Sequence, residues 1–243
     1  MRSLLVIPGD DEARLAAALA SAAHAVVVDL AVAAGRRDAA RSNAARVLIA
    51  AAGRPDAPAL IVRVHPLDSG ETDRDLDAIM PAAPFAVILP GTRGAASVQQ
   101  LSAKLAVREA LSAIEEGATG IVAVIDTAEG LLAAAHLRGS SARVIGLAWD
   151  AEALAAEVGA EARDGDGAFA APLQTARDLT CFAAAAAGVA AIDTAFSEAG
   201  EGERLRAEAD DARRAGFAAK LAVDPVQAAI INAAFARRDK GEA

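Results

Sequence analysis

Apolar residues along the chain fall into eight short runs separated by longer stretches of helical periodicity. The runs are LLVIP (4–8), AVVVDL (25–30), ALIVRV (59–64), FAVILP (85–90), GIVAVID (120–126), RVIGLAWD (143–150), AAID (190–193) and KLAVD (220–224). Short runs of this kind, punctuated by Gly, Pro and Asp, read as strands covered on both faces. Between them the periodicity predicts helices over about 11–23, 36–52, 71–80, 95–116, 127–138, 151–158, 171–187, 202–215 and 225–236. The ninth helix follows the sixth strand, beyond the polar, glycine-rich loop ARDGDGAFA (162–170). Eight strand–helix units predict an α/β fold, the TIM (β/α)8 barrel, and the 243 residues suit one such barrel as a single domain, 1–243.

That fold places its chemistry at the C-terminal ends of the strands. Asp29, Asp126, Asp150, Asp193 and Asp224 close five of the runs, and Arg63 stands near the end of the third. Strand-end carboxylates form a set of oxygen ligands suited to a hard cation such as Mg2+. They are equally suited to cap the helices that follow: Asp126-Thr-Ala-Glu129 has the capping-box spacing, and Asp150 and Asp224 also precede helices. Arg63, inside an apolar strand, must reach the barrel interior or its mouth, where it is costly without an anionic partner. That partner is either a neighbouring aspartate or a substrate carboxylate or developing oxyanion held by the guanidinium fork. His65 adjoins this strand end as a candidate general acid or base, whereas His24 (opposite face) and His136 (in a helix) read as structural. The long loops 65–73 and 162–170 read either as covers for the site or as plain surface.

Composition narrows the function classes. A net charge of −9 argues against nucleic acid as a partner. Cys181 is the sole cysteine, so neither a disulfide nor a thiolate cluster forms within the chain, and its apolar helical setting reads as a buried structural thiol. There is no GxxxxGK[ST] loop and no Ser/His/Asp arrangement. The first apolar run stops at Pro8-Gly9-Asp10, short of a signal-peptide core, and no stretch reaches the roughly 18 apolar residues of a membrane span. The expectation is a cytoplasmic protein with a small-molecule substrate and neither nucleic acid nor membrane as partner.

The same residues resemble the citrate lyase β-subunit-like proteins of the HpcH/HpaI aldolase superfamily. RSLLVIPGD, AVVVDL, LIVRVHPLDSG, IDTAEGL, RVIGLAW, AAIDTAF and AGFAAKLAVDPVQAAIINAAF occur in that family's order and cover nearly the whole chain. The resemblance implies a metal-dependent barrel, commonly trimeric and so a homo-oligomer, that cleaves or forms C–C bonds in malyl-, citramalyl- or citryl-type CoA thioesters or related keto-acid adducts. It implies that Arg63 holds a substrate carboxylate or thioester enolate, that Asp29 shares the catalytic site, and that Asp126 stands where the family has a glutamate ligand for Mg2+ or Mn2+.

Several positions depart from the family pattern. DLED becomes Asp29-Leu30-Ala31-Val32, and PKVE becomes Pro90-Gly91-Thr92-Arg93. The second metal ligand becomes Ala153, IHP becomes Val223-Asp224-Pro225, and the C-terminus is shortened relative to many members. Asp150 or Glu152, close in sequence to Ala153, is placed to supply the missing ligand, and a site assembled in this way binds metal weakly. Two readings follow: a C–C lyase with a degraded metal site, favoured by Arg63 and Asp126, and a non-catalytic ligand-binding or assembly protein, favoured by Ala31, Val32, Gly91 and Ala153.

Overall fold

The computed structural model describes residues 1–197 and 202–236. Its eight strands are β1 (Ser3–Pro8), β2 (Ala25–Asp29), β3 (Ala59–Arg63), β4 (Ala86–Leu89), β5 (Gly120–Ile125), β6 (Val144–Trp149), β7 (Ala190–Asp193) and β8 (Ala219–Ala222). They pair in chain order, all in parallel, and β8 closes on β1. The expected TIM barrel is therefore present.

Strand alternation sorts the side chains into two layers. Leu4, Ala25, Val27, Ile61, Ala86, Ile88, Val122, Val124, Ala148, Ile192 and Ala219 pack together inside the barrel. Their sequence neighbours Leu5, Val26, Val28, Val62, Val87, Ala123, Leu147 and Trp149 pack outward under the helices. This two-residue period decides the site. Counting on by twos from Val27, Ile61, Val124 and Ala148 places Asp29, Arg63, Asp126 and Asp150 on the inward side at the C-terminal rim.

Nine α-helices surround the barrel among the described residues: α1 (Glu12–Leu19), α2 (Arg37–Ala51), α3 (Thr72–Ile79), α4 (Ala95–Leu111), α5 (Ala128–Ala133), α6 (Ala151–Val158), α7 (Ala171–Ala187), α8 (Gly202–Ala215) and α9 (Pro225–Phe235). Two end earlier than their periodicity predicts. Around α1, the Ser21 hydroxyl donates to the Ala18 carbonyl at 2.7 Å and closes the last turn locally. Beyond α4, Ala113 adopts a left-handed conformation (φ 53°) and the chain doubles back. The buried Glu109 carboxylate then accepts the N–H groups of Gly117 and Thr119, each at 2.9 Å. It also takes two bonds from Arg143, at 2.6 and 2.7 Å.

Candidate active site

Asp29 and Arg63 are register partners across β2 and β3. Nη1 of Arg63 donates to Oδ2 of Asp29 at 3.2 Å, and the other carboxylate oxygen accepts the Ala31 N–H at 2.9 Å. The Leu30 N–H to Arg63 carbonyl bond (2.9 Å) carries the ladder one residue past the strand ends and fixes both residues at the rim. One bond to Asp29 leaves further donors of the Arg63 fork uncommitted to that carboxylate.

Asp126, at the end of β5, is held by the Gly91 N–H, which donates to both of its oxygens at 3.0 and 2.8 Å. Gly91 has φ +65°, a conformation open to glycine, and that turn aims its N–H at the carboxylate. Burial pushes the Asp126 pKa up. The Gly91 N–H opposes this, the negative charge of Asp150 adds to the rise, and the Arg63 charge offsets part of it. Asp150 and Arg63 are thus each close enough to Asp126 to act on its charge. Asp150 also caps α6 by accepting the Ala153 N–H at 3.1 Å, as the capping reading expects.

The other strand-end aspartates do not join this group. Asp224 is exposed and caps α9 through the Val226 N–H at 2.7 Å. Asp193 follows the inward-facing Ile192, points outward and is fully buried. It accepts from the Trp149 indole (2.8 Å), the Arg177 guanidinium (3.2 and 3.3 Å) and the Lys220 ammonium (3.0 Å). Burial alone would raise its pKa, but Lys220 and Arg177 outweigh that and hold it below the usual carboxylate value. The sequence pattern of five equivalent acids is corrected here by parity: Asp29, Asp126 and Asp150 face the mouth, whereas Asp193 belongs to a structural ion network.

The histidines separate as follows. His24 lies at the opposite end of the barrel, where its ring accepts the Arg2 N–H at 3.1 Å, and His136 sits in a 3-10 turn after α5. His65 is buried, with Nδ1 2.7 Å from Asp75. Cys181 is half-buried rather than buried, and desolvation raises its thiol to about 11. The loop over 162–170 is no free cover, because Phe169 packs edge-on against outward-facing Trp149 (5.1 Å) and beneath the Arg163 guanidinium (4.3 Å). The 65–73 segment is pinned by Thr72, whose hydroxyl contacts the His65 and Pro66 carbonyls, and by the exposed Arg93–Asp68 pair.

The Gly91 main chain and Asp75 were not among the residues expected to shape the site. Asp75 had a legible signal: Thr72, Asp75, Leu76 and Ile79 share the buried face of α3, so a carboxylate sits on an apolar stripe.

Among the described residues no group of three or more His, Cys, Asp or Glu could hold a metal. Asp126 and Asp150 are a two-carboxylate set whose negative charges oppose each other in a partly dehydrated mouth. That donor set fits an ion such as Mg2+, which binds through one or two carboxylates and completes its octahedron with water and substrate oxygens. It does not fit an all-protein cage.

The sequence profile of the HpcH/HpaI aldolase/citrate lyase family matches residues 2–225. Citrate lyase subunit beta of Haemophilus influenzae is 31% identical over 242 residues, covering 98% of this chain and 81% of that protein. A (3S)-malyl-CoA thioesterase of Cereibacter sphaeroides is 31% identical over 236 residues, covering 96% of this chain and 76% of that one. Among solved structures, the citrate lyase beta subunit of M. tuberculosis complexed with oxaloacetate and magnesium superposes with a TM-score of 0.79 at 29% identity, covering 96% of each chain.

Proposed function

The chain belongs to the HpcH/HpaI aldolase/citrate lyase family of CoA-ester lyases, and from that footing we propose that its barrel mouth breaks or forms the C–C bond of a malyl-, citramalyl- or citryl-type CoA thioester or a related keto-acid adduct. The observation that carries this reading is the convergence of Arg63, Asp29, Asp126 and Asp150 on one rim, with Asp126 raised by burial and by its acidic neighbour.

In the cleavage direction the β-hydroxyl of the thioester loses its proton as its carbon becomes a carbonyl. The C–C electron pair passes to the thioester α-carbon as an enolate, which is then protonated. Arg63 offers its fork to the carboxylate or to the oxygen on which charge develops, where a preformed cation favours the transition state over the ground state. Asp29 holds that fork in place and is the carboxylate on that side proposed to receive the hydroxyl proton. A divalent ion, Mg2+ or Mn2+, held by Asp126 and Asp150 would neutralise the carboxylate and carbonyl oxygens of the keto acid as a Lewis acid. Ala153 offers no side-chain oxygen, so such an ion would be held weakly until a substrate supplied the remaining ligands. We extend the proposal to a cytoplasmic homo-oligomer, with the trimer common in the family as the assembly to test.

The test is product analysis with a panel of malyl-, citramalyl- and citryl-CoA. We expect metal-dependent release of a keto acid or glyoxylate together with the shortened acyl-CoA. A second reading, a ligand-binding or assembly protein without turnover, is favoured by Ala153 and by the lack of a three-ligand group among the described residues. No product from any panel member with Mg2+ or Mn2+, alongside retained oxaloacetate binding, selects that second reading.

A further inference from the structure

We infer that Asp75, acting through His65, is a positioning residue that sets the two sides of the mouth relative to each other. Asp75 is fully buried in α3, yet none of its side-chain bonds serves the helix. Oδ2 accepts the His65 backbone N–H at 2.8 Å and faces its ring Nδ1 at 2.7 Å, while Oδ1 accepts from Nε of Arg41 at 2.8 Å. One carboxylate thus holds the main chain and the side chain of the same residue, which leaves His65 a single backbone and rotamer setting. Arg41 ties the clamp to α2 and extends to Glu71 at 2.5 Å.

His65 lies between the two halves of the site. On its N-terminal side, Val64 donates to the Ile88 carbonyl (3.2 Å) and the Arg63 carbonyl accepts from Leu30 (2.9 Å). A shift of His65 is therefore passed to the strand end that carries the guanidinium. On its C-terminal side, Pro66 lies against Gly91, where an added Cβ would come 3.4 Å from the proline Cβ. The Gly91 N–H is the group that grips both oxygens of Asp126. Asp75 thus governs Arg63 through β3 and Asp126 through Pro66 and Gly91. The ring shows the same arrangement. Nδ1 is committed to Asp75, which fixes the proton there against the carboxylate, and Nε2 is buried with no hydrogen-bond partner among the described residues.

The inference deepens the proposed function, because it concerns the same mouth. Three measurements on the full chain test it: oxaloacetate affinity by calorimetry, thermal melting, and the NMR line of the Arg63 Nε–H group. Two variants are used, Asp75→Asn and His65→Leu. The second keeps the Asp75–Arg41 pair intact if the first fails to fold. We expect each variant to weaken oxaloacetate binding about 10-fold at a temperature where it is fully folded, and to broaden or shift the Arg63 signal. In an Arg63→Lys background the same changes should cost less than in the wild type, because the positioned fork is already gone and only the route through Gly91 and Asp126 remains. A lower melting temperature with unchanged affinity and an unchanged Arg63 signal overturns the inference. So does an equal loss in both backgrounds. If the wild-type chain binds no oxaloacetate but the Arg63 signal still responds to His65→Leu, the functional reading fails and the positioning role stands.

Discussion

Replacing Arg63 with alanine separates a catalytic arginine from a structural one. In the structure it makes one 3.2 Å contact with Asp29, and the two side chains are 32% and 16% exposed. Asp29 keeps its bond from the Ala31 N–H when Arg63 is removed, and its side chain is not fully buried. The loss therefore lies well below the roughly 3–5 kcal/mol of a broken buried pair and close to the ~1 kcal/mol of an exposed one. In a chain of this length ~1 kcal/mol corresponds to about 2–4 °C in Tm. Removal of one preorganised charge partner from a developing oxyanion typically costs about 10²–10³ in kcat, roughly 3–4 kcal/mol. The predicted signature is thus a small shift in melting with a large loss of rate. Differential scanning calorimetry and steady-state cleavage of a malyl- or citramalyl-type thioester measure the two terms on the same preparation. A drop of 10 °C or more, with kcat unchanged in the folded fraction, would refute the assignment and make Arg63 one half of a rim ion pair.

Other consequences follow from named contacts. A Cβ at Gly130 in α5 would run into the Thr92 carbonyl oxygen and come within 2.9 Å of the Thr127 hydroxyl. Gly130→Ala should therefore cost about 1–3 kcal/mol or more in melting experiments. It should also weaken oxaloacetate binding, because Thr92 adjoins the Gly91 clamp on Asp126; unchanged melting would contradict the packing. Glu109, buried against Arg143, and Asp193, buried against Lys220 and Arg177, both have pKa values lowered by folding. A depressed carboxylate stabilises the fold above its unfolded value, roughly 4, and that contribution is lost as pH falls through the folded value. Acid titration followed by circular dichroism should thus show constant stability from neutral pH to about 5 and a decline below it. Glu109→Gln should flatten that decline, and an identical slope in the variant would contradict the linkage.

Much of this was readable from the sequence because the barrel depends on two simple periods. The 2.0 period of LIVRV and GIVAVID determines which residues face inward, and it places Arg63 and Asp126 on one rim. The same rule, applied to AAID, turns Asp193 outward; a count of strand-end acids that ignores parity gives it the wrong role. Arg63 stood out because a lone charge in an apolar strand needs a partner, yet whether that partner was protein or ligand depended on the β2–β3 register, which no local pattern encodes. Gly91 was visible only as a departure from a family pattern. Its use is a main-chain N–H, and main-chain donors leave no mark in composition. The His65–Asp75 bond spans ten residues and the α3 entry, so it required the tertiary turn at Thr72.

The central claim is that Asp126, Asp150 and Arg63 form a half-built site that a keto acid completes together with a divalent ion. Calorimetric titration of Mg2+ into the protein, with and without saturating oxaloacetate, measures that claim directly. The account predicts weak Mg2+ binding alone and an affinity raised at least ~10-fold by oxaloacetate, a coupling of about 1.4 kcal/mol that must appear reciprocally in the oxaloacetate titration. Asp126→Ala should abolish the coupling. Mg2+ binding that is indifferent to oxaloacetate, or a coupling that survives Asp126→Ala, would contradict it.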